Sequence, residues 1–195
     1  MPFIQPIADD DATAEQAQLL AGVAEGFGYV PNLARVFAHR PVVFGAWVGL
    51  KNAVESSMEP RRYELVTLAA ALALRSSYCS LAHGRILATM LEPETLRAIV
   101  ADRTTAGLDA VDVAVMDMAA KVATDSASIE AADHDRLRRL GLTDAEIFDV
   151  VLAASIRCFF SKALDGAGAQ PDAVYRELEP GLRDALTVGR AIAAG

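Results

Sequence analysis

The sequence predicts an all-α protein organised as a single domain over residues 1–195, and three observations carry that prediction. Apolar residues recur at three- and four-residue steps almost from end to end. No run alternates apolar and polar residues for long enough to make a strand. Helix-starting and helix-stopping residues punctuate the chain at short intervals. Hydrophobic residues make up 53% of the chain, ample for a core, while aromatics are only 6%. Helix is therefore expected to pack on helix through alanine and leucine.

The elements follow in order. Asp11 to Gly26 reads as a first helix, with Asp and Thr near its start and glycines at its close. Pro31 is placed to open a short helix after the turn at Gly28. Pro41 starts the next, through Phe44, Trp47 and Leu50 to about Ser56. Pro60 sits in the first turn of a helix reaching about Leu74, and a second begins near Ser76 and runs through His83 to Leu91. The serine oxygen of Ser76 or Ser77 is a suitable N-cap for it. Pro93 starts a short helix to Asp102; Asp109 to Thr124 and Glu130 to Leu140 are helical by period, and Gly141 stops the latter. Thr143 and Glu146 have capping-box spacing and open a long apolar helix to about Leu164, ended by Gly166 and Gly168. Helices over 172–178 and 180–193 are expected to complete the chain. Segments 60–91 hold the core motif, and 1–27 and 180–195 are peripheral.

Charge and composition narrow the function. A net charge of −8 argues against nucleic acid as a partner, since phosphate needs clustered Lys and Arg. Arg61-Arg62 and Arg136 to Arg139 are short basic groups set among acids, and read as solvated helix faces. The apolar run 65–74 is far shorter than the roughly 20 residues of a membrane span. Met1-Pro-Phe-Ile-Gln-Pro-Ile does not have the build of a secretory leader, and two cysteines are too few for a disulfide scaffold, so the cytoplasm is the expected location. No Gly-rich phosphate loop follows a strand, so no flavin, haem or nucleotide is expected. The other histidines, His39 and His134, are not at ligand spacing from Cys79, so no metal is expected either.

The chemistry centres on Cys79 and His83. Four residues apart on a helix, their side chains share one face. Cys79 also falls in the first turn, where free N–H groups and the helix dipole favour negative charge. Both effects favour a nucleophilic thiolate. Glu64, on the preceding helix, reaches His83 if the two helices form an antiparallel hairpin, giving a Glu–His–Cys relay. Tyr78 is a candidate hydroxyl donor near the sulfur. Cys158, in Ile156-Arg157-Cys158-Phe159-Phe160, reads as a core cysteine. The residues alone thus describe an all-helical domain with one candidate activated thiol.

The stretch from Glu64 to His83 resembles the core motif of the alkylhydroperoxidase D and carboxymuconolactone decarboxylase superfamily. In the peroxidase branch that motif reads Glu, eleven residues, Cys-x-x-Cys-x-x-x-His; here Glu64 is followed by eleven residues, then Ser76-Ser77-Tyr78-Cys79, three residues and His83. Val30-Pro31-Asn32-Leu33 with Arg35, and Phe159 to Asp165, are similar to its peroxidase-related subgroup. The resemblance touches about residues 28 to 172. It implies an alkylhydroperoxidase D-like helical bundle, with Cys79 attacking peroxide, His83 as its base and Glu64 completing the relay. Ser76 stands where the resolving cysteine belongs, so a sulfenic acid on Cys79 cannot condense there. Cys158 resolves it, an external thiol does, or the protein has left peroxide chemistry.

Three functions stay open at this level: a one-cysteine hydroperoxide reductase using an external thiol reductant, a lyase on a small organic acid, and a redox sensor or interaction protein that keeps the fold. In the lyase reading Arg75 and Arg157 are the candidate carboxylate anchors. Helices rich in Ala, Leu and Val expose apolar faces unless other subunits cover them, and the resemblance implies the same: a homo-oligomer (dimer, trimer or hexamer). Light scattering at micromolar concentration is expected to give a multiple of the chain mass, and a monomeric mass would remove this expectation.

Overall fold

The helical periodicity resolves, in the computed structural model, into ten α-helices among the described residues, 2–194, with no strand. They are α1 (Ala14–Phe27), α2 (Asn32–Phe37), α3 (Pro41–Glu55), α4 (Pro60–Ala73), α5 (Ser77–Leu87), α6 (Pro93–Asp102), α7 (Ala110–Asp125), α8 (Ala131–Arg139), α9 (Asp144–Ala167) and α10 (Pro180–Leu186). Short 3-10 turns lie at Asp9–Asp11, Ser126–Ser128 and Ala173–Glu177. No helix among the described residues is long and apolar enough to cross a membrane.

Helix α4 is the axis of the fold. It is buried continuously from Tyr63 to Ala71, and a helix apolar on nearly every side is stable only among other helices. Helices α5, α7 and α9 surround it. Its three consecutive alanines, Ala69, Ala70 and Ala71, present small faces to those neighbours. Helix α9 carries a buried stripe at Ile147, Val150, Ala153, Ala154, Arg157, Phe160, Ser161 and Leu164, a cation and a hydroxyl among apolar positions. Helix α9 also meets α3, where Trp47 stacks on Phe160 with ring centroids 3.8 Å apart.

Capping follows the sequence at several ends. Thr143 and Glu146 form the expected capping box, with Glu146 Oε2 accepting from Thr143 N at 2.8 Å and Thr143 Oγ1 accepting from Glu146 N at 3.3 Å. Gly28, Gly141 and Gly168 close helices in the left-handed region. The α4–α5 corner closes without glycine. Ser76 N donates to Ala71 O and Arg75 N to Leu72 O, both at 2.9 Å, which is a Schellman pair. Arg75 takes the left-handed position at φ 56°, a conformation that costs a non-glycine residue about 1 kcal/mol.

The expected helices at the carboxyl end are shorter than the sequence suggests. The expected helix over 172–178 is a 3-10 turn, and the one over 180–193 stops at Leu186. The reason is contact with the α4–α5 corner. Gly189 N donates to Ser77 Oγ at 2.7 Å, and Ser80 Oγ donates to Leu186 O at 2.5 Å. An added Cβ on Gly189 would lie 2.1 Å from Arg75 O, and one on Gly84 would lie 2.3 Å from Leu186 Cδ1. The tail therefore leaves its helix to lie as an extended strap behind the start of α5.

Gly189→Ala is expected to lower the thermal midpoint by an overpacking penalty of about 1–3 kcal/mol. Gly22→Ala, at an exposed position of α1 with open space around it, is expected to raise it through a stabilisation of up to about 1 kcal/mol. Equal midpoints for the two variants in differential scanning calorimetry would mean that the strap does not seat on the corner.

Candidate active site

The α4–α5 hairpin brings together two of the residues that spacing alone could not join. Glu64 Oε2 lies 2.6 Å from His83 Nδ1, and both side chains are buried. An ionised carboxylate only accepts hydrogen bonds, so Nδ1 carries the proton and Nε2 is left with its lone pair. Thr67 Oγ1, 3.2 Å from the same Nδ1, is a second acceptor there, its own proton going to the backbone of Tyr63 or Glu64. Burial, and next the charge of Arg157, hold the His83 imidazole below the ordinary histidine range, against the opposing pull of Glu64. The ring is thus a neutral, oriented base.

Cys79 is the third residue of α5 and is 2% exposed. The hydrogen bond its sulfur accepts comes from Arg157 Nη1 on α9, at 3.6 Å, rather than from His83. Arg157 is 3% exposed and has no carboxylate within ion-pairing distance among the described residues. Its Nε has no hydrogen-bond partner, and the Tyr63 hydroxyl, near enough to feel the guanidinium charge, makes no hydrogen bond of ordinary geometry. Ser76 occupies the N-cap position of α5 as expected, but its hydroxyl does not cap the helix and is buried without a partner. Ser77 Oγ is engaged instead by the strap. The first-turn amides beside Cys79 therefore have no side-chain acceptor.

Tyr78 does not serve the sulfur. Its hydroxyl donates to Asp172 Oδ2 and accepts from Leu33 N at 3.0 Å, while Asp172 Oδ1 accepts from Asn32 N at 2.7 Å. The Pro31-Asn32-Leu33 stretch thus latches the start of α2 to residues 170–172 and to α5. Burial raises the Asp172 carboxyl above the usual range, against the hydrogen bonds it accepts. Cys158 is half-buried rather than fully in the core, and burial pushes its thiol up. Both cysteines are free. An open cleft between α7 and α8, lined by Thr104, Leu108, Arg136 and Arg139, carries none of these residues.

Arg157 is the neighbour of Cys79 whose place sequence reasoning left undecided. It was one of two candidate anchors, with nothing to tie it to Cys79, 78 residues away. The signal was its register, with Ala153 and Ala154 four and three residues before it and Phe160 three after, which puts a cation on a buried stripe. Asp172 gave no signal at all.

No family sequence model and no curated protein sequence matches the chain. Solved structures do. A peroxidase-related protein from Ralstonia eutropha JMP134, described as an alkylhydroperoxidase AhpD core, matches with a TM-score of 0.79 at 23% identity over 89% of this chain and 94% of that one. A peroxidase-related protein from Silicibacter sp. TM1040 matches with a TM-score of 0.80 at 24% identity, over 90% and 94%. The debrominase Bmp8, in complex with 2,3,4-tribromopyrrole, matches with a TM-score of 0.72 at 16% identity, over 94% and 95%. The chain has the alkylhydroperoxidase D-like helical fold, as the sequence motif implied, and the same fold also serves a debrominase.

The neutral state of His83 makes a testable statement about pH. Its folded value lies below the unfolded one, near 6.5, so the unfolded chain takes up the proton first as pH falls. The contribution of the neutral imidazole to stability is complete above about 6.5 and drains away as pH falls toward the folded value. His83→Gln lacks that loss, while His39 and His134 remain in both proteins. Between about pH 7 and about pH 5 the thermal midpoint of the parent is expected to fall more steeply than that of His83→Gln. Parallel curves would mean that the fold does not hold the ring neutral.

Proposed function

We propose that the protein reduces hydroperoxides through Cys79, as a one-cysteine enzyme recycled by an external thiol. The observation that carries this reading is the 2.6 Å contact of Glu64 with His83 Nδ1, which leaves Nε2 as the basic atom on the helix face of Cys79. His83 Nε2 takes the thiol proton. The thiolate attacks the terminal oxygen of the hydroperoxide, the O–O bond breaks, and the departing alkoxide takes the proton back from the imidazolium. The products are a sulfenic acid on Cys79 and an alcohol. One external thiol condenses with the sulfenic acid, releasing water and leaving a mixed disulfide, and a second thiol frees Cys79.

Ser76 offers no sulfur for an internal disulfide, and Cys158 is an unfavourable substitute. It follows Arg157 on α9, and successive residues of a helix point about 100° apart, so a helix that aims Arg157 at the sulfur aims Cys158 elsewhere. The exposed Val42, Val43 and Leu50 of α3 and Phe148 and Phe159 of α9 support a homo-oligomer. A second reading is a lyase on a small organic acid, in which the thiol is incidental; the buried Arg157 favours it as a carboxylate anchor.

Intact-mass analysis after brief exposure of the reduced protein to equimolar hydroperoxide, with dimedone, is expected to show one adduct mapping to Cys79. Cys79→Ser should abolish peroxide consumption, His83→Gln should lower it about a hundredfold or more, and Cys158→Ser should leave most of it. Equal consumption by the parent and Cys79→Ser would sink this reading, and turnover of an organic acid surviving in Cys79→Ser would favour the second.

A further inference from the structure

Two groups beside Cys79, Arg157 and Tyr63, are buried with donors that no acceptor takes up. Arg157 has five N–H groups and no acceptor atom, is 3% exposed, and spends one of those groups on the Cys79 sulfur at 3.6 Å. Its Nε–H has no acceptor. Tyr63, 1% exposed, lies beside the guanidinium and edge-on to His83, with ring centroids 6.5 Å apart, and its hydroxyl has no partner. Burial, foremost, pushes the Tyr63 phenol up to about 12, so at neutral pH it is a proton donor and not an anion. Glu64 is already taken by His83. Buried donors are nearly always satisfied in native proteins, and one left open is costly. The guanidinium can only donate and the phenol has one proton to give, so an oxygen anion placed between them would satisfy both.

We propose that Arg157 and Tyr63 form an oxyanion subsite beside Cys79 Sγ, in which the guanidinium and the phenol hold a negatively charged oxygen during the reaction at the sulfur. This rests on Cys79 being the reacting atom, and it adds the chemistry of what binds there. Two sources share that chemistry. One is the oxygen that forms at the sulfur itself, as the leaving alkoxide or the sulfenate. The other is a carboxylate on a separate ligand.

The test needs no peroxide, so it stands or falls apart from peroxidase activity. The reduced protein is alkylated with iodoacetate, an anion, and with iodoacetamide, its neutral counterpart, with Cys79 followed by peptide mass. The ratio of the two rates is compared with that of a small free thiol. The subsite is expected to raise the iodoacetate-to-iodoacetamide ratio about tenfold over the free thiol. Arg157→Gln should return it to the free-thiol value, and Tyr63→Phe should lower it about threefold. Tyr63→Phe removes a single oxygen and keeps the packing, so it carries the test if Arg157→Gln does not fold. Protection of Cys79 from iodoacetamide by benzoate would identify a separate carboxylate as the occupant. Raised selectivity without such protection would identify the oxyanion that forms at the sulfur. A parent ratio equal to that of the free thiol, no reaction of Cys79 with either reagent, or an unchanged ratio in both variants would overturn the proposal.

Discussion

A carboxylate in the middle of the most buried helix is the constraint on which the rest of this structure depends. Glu64 sits on α4, whose neighbouring positions are apolar, and the imidazole of His83 meets it at 2.6 Å. An unpaired charge at such a place costs several kcal/mol, and breaking a buried pair typically costs about 3–5 kcal/mol. The pairing therefore fixes the rotation of α5 against α4. Once that rotation is set, Cys79 lies on the side of α5 that meets α9, and Arg157 reaches its sulfur. A core made only of Ala and Leu would tolerate several such rotations; the buried polar contact selects one.

The site was legible where its logic is local. Cys79 and His83 share a helix, so their spacing alone places them on one face. Glu64 and His83 belong to different helices, and their meeting depends on how α4 turns into α5 at Arg75, which no spacing records. Arg157 comes from a third helix, and only its register on α9 hinted at burial. Tyr78 shows the limit of proximity in sequence: adjacent to Cys79, it points away from it, to Asp172. The serine at the start of α5 occupies the cap position without making the capping bond, because position follows from the backbone while the bond depends on a side-chain rotamer.

The fold was legible for a related reason. Periodicity and capping residues located every long helix within a few residues, and the resemblance of the Glu64–His83 stretch anticipated the architecture that the solved structures share. The carboxyl end was misread because its conformation is dictated from outside. Residues 187 to 190 have no strong breaker except Gly189, and the strap forms because Ser77, Ser80 and the Arg75 carbonyl are there to receive it.

The strap also sets an order of events during synthesis. Leu186 follows Ser80 by 106 residues, and Gly189 follows Ser77 by 112. A ribosome adding about 5–20 residues per second needs several seconds or more to cover that distance. Throughout that interval the nascent chain carries its thiol on a hairpin whose rear support has not been made. The guanidinium that meets the sulfur also arrives late, 78 residues after Cys79. Glu64 and His83 are in the chain from the start of that interval, so Arg157 and the strap are the last of the surroundings of Cys79 to be made.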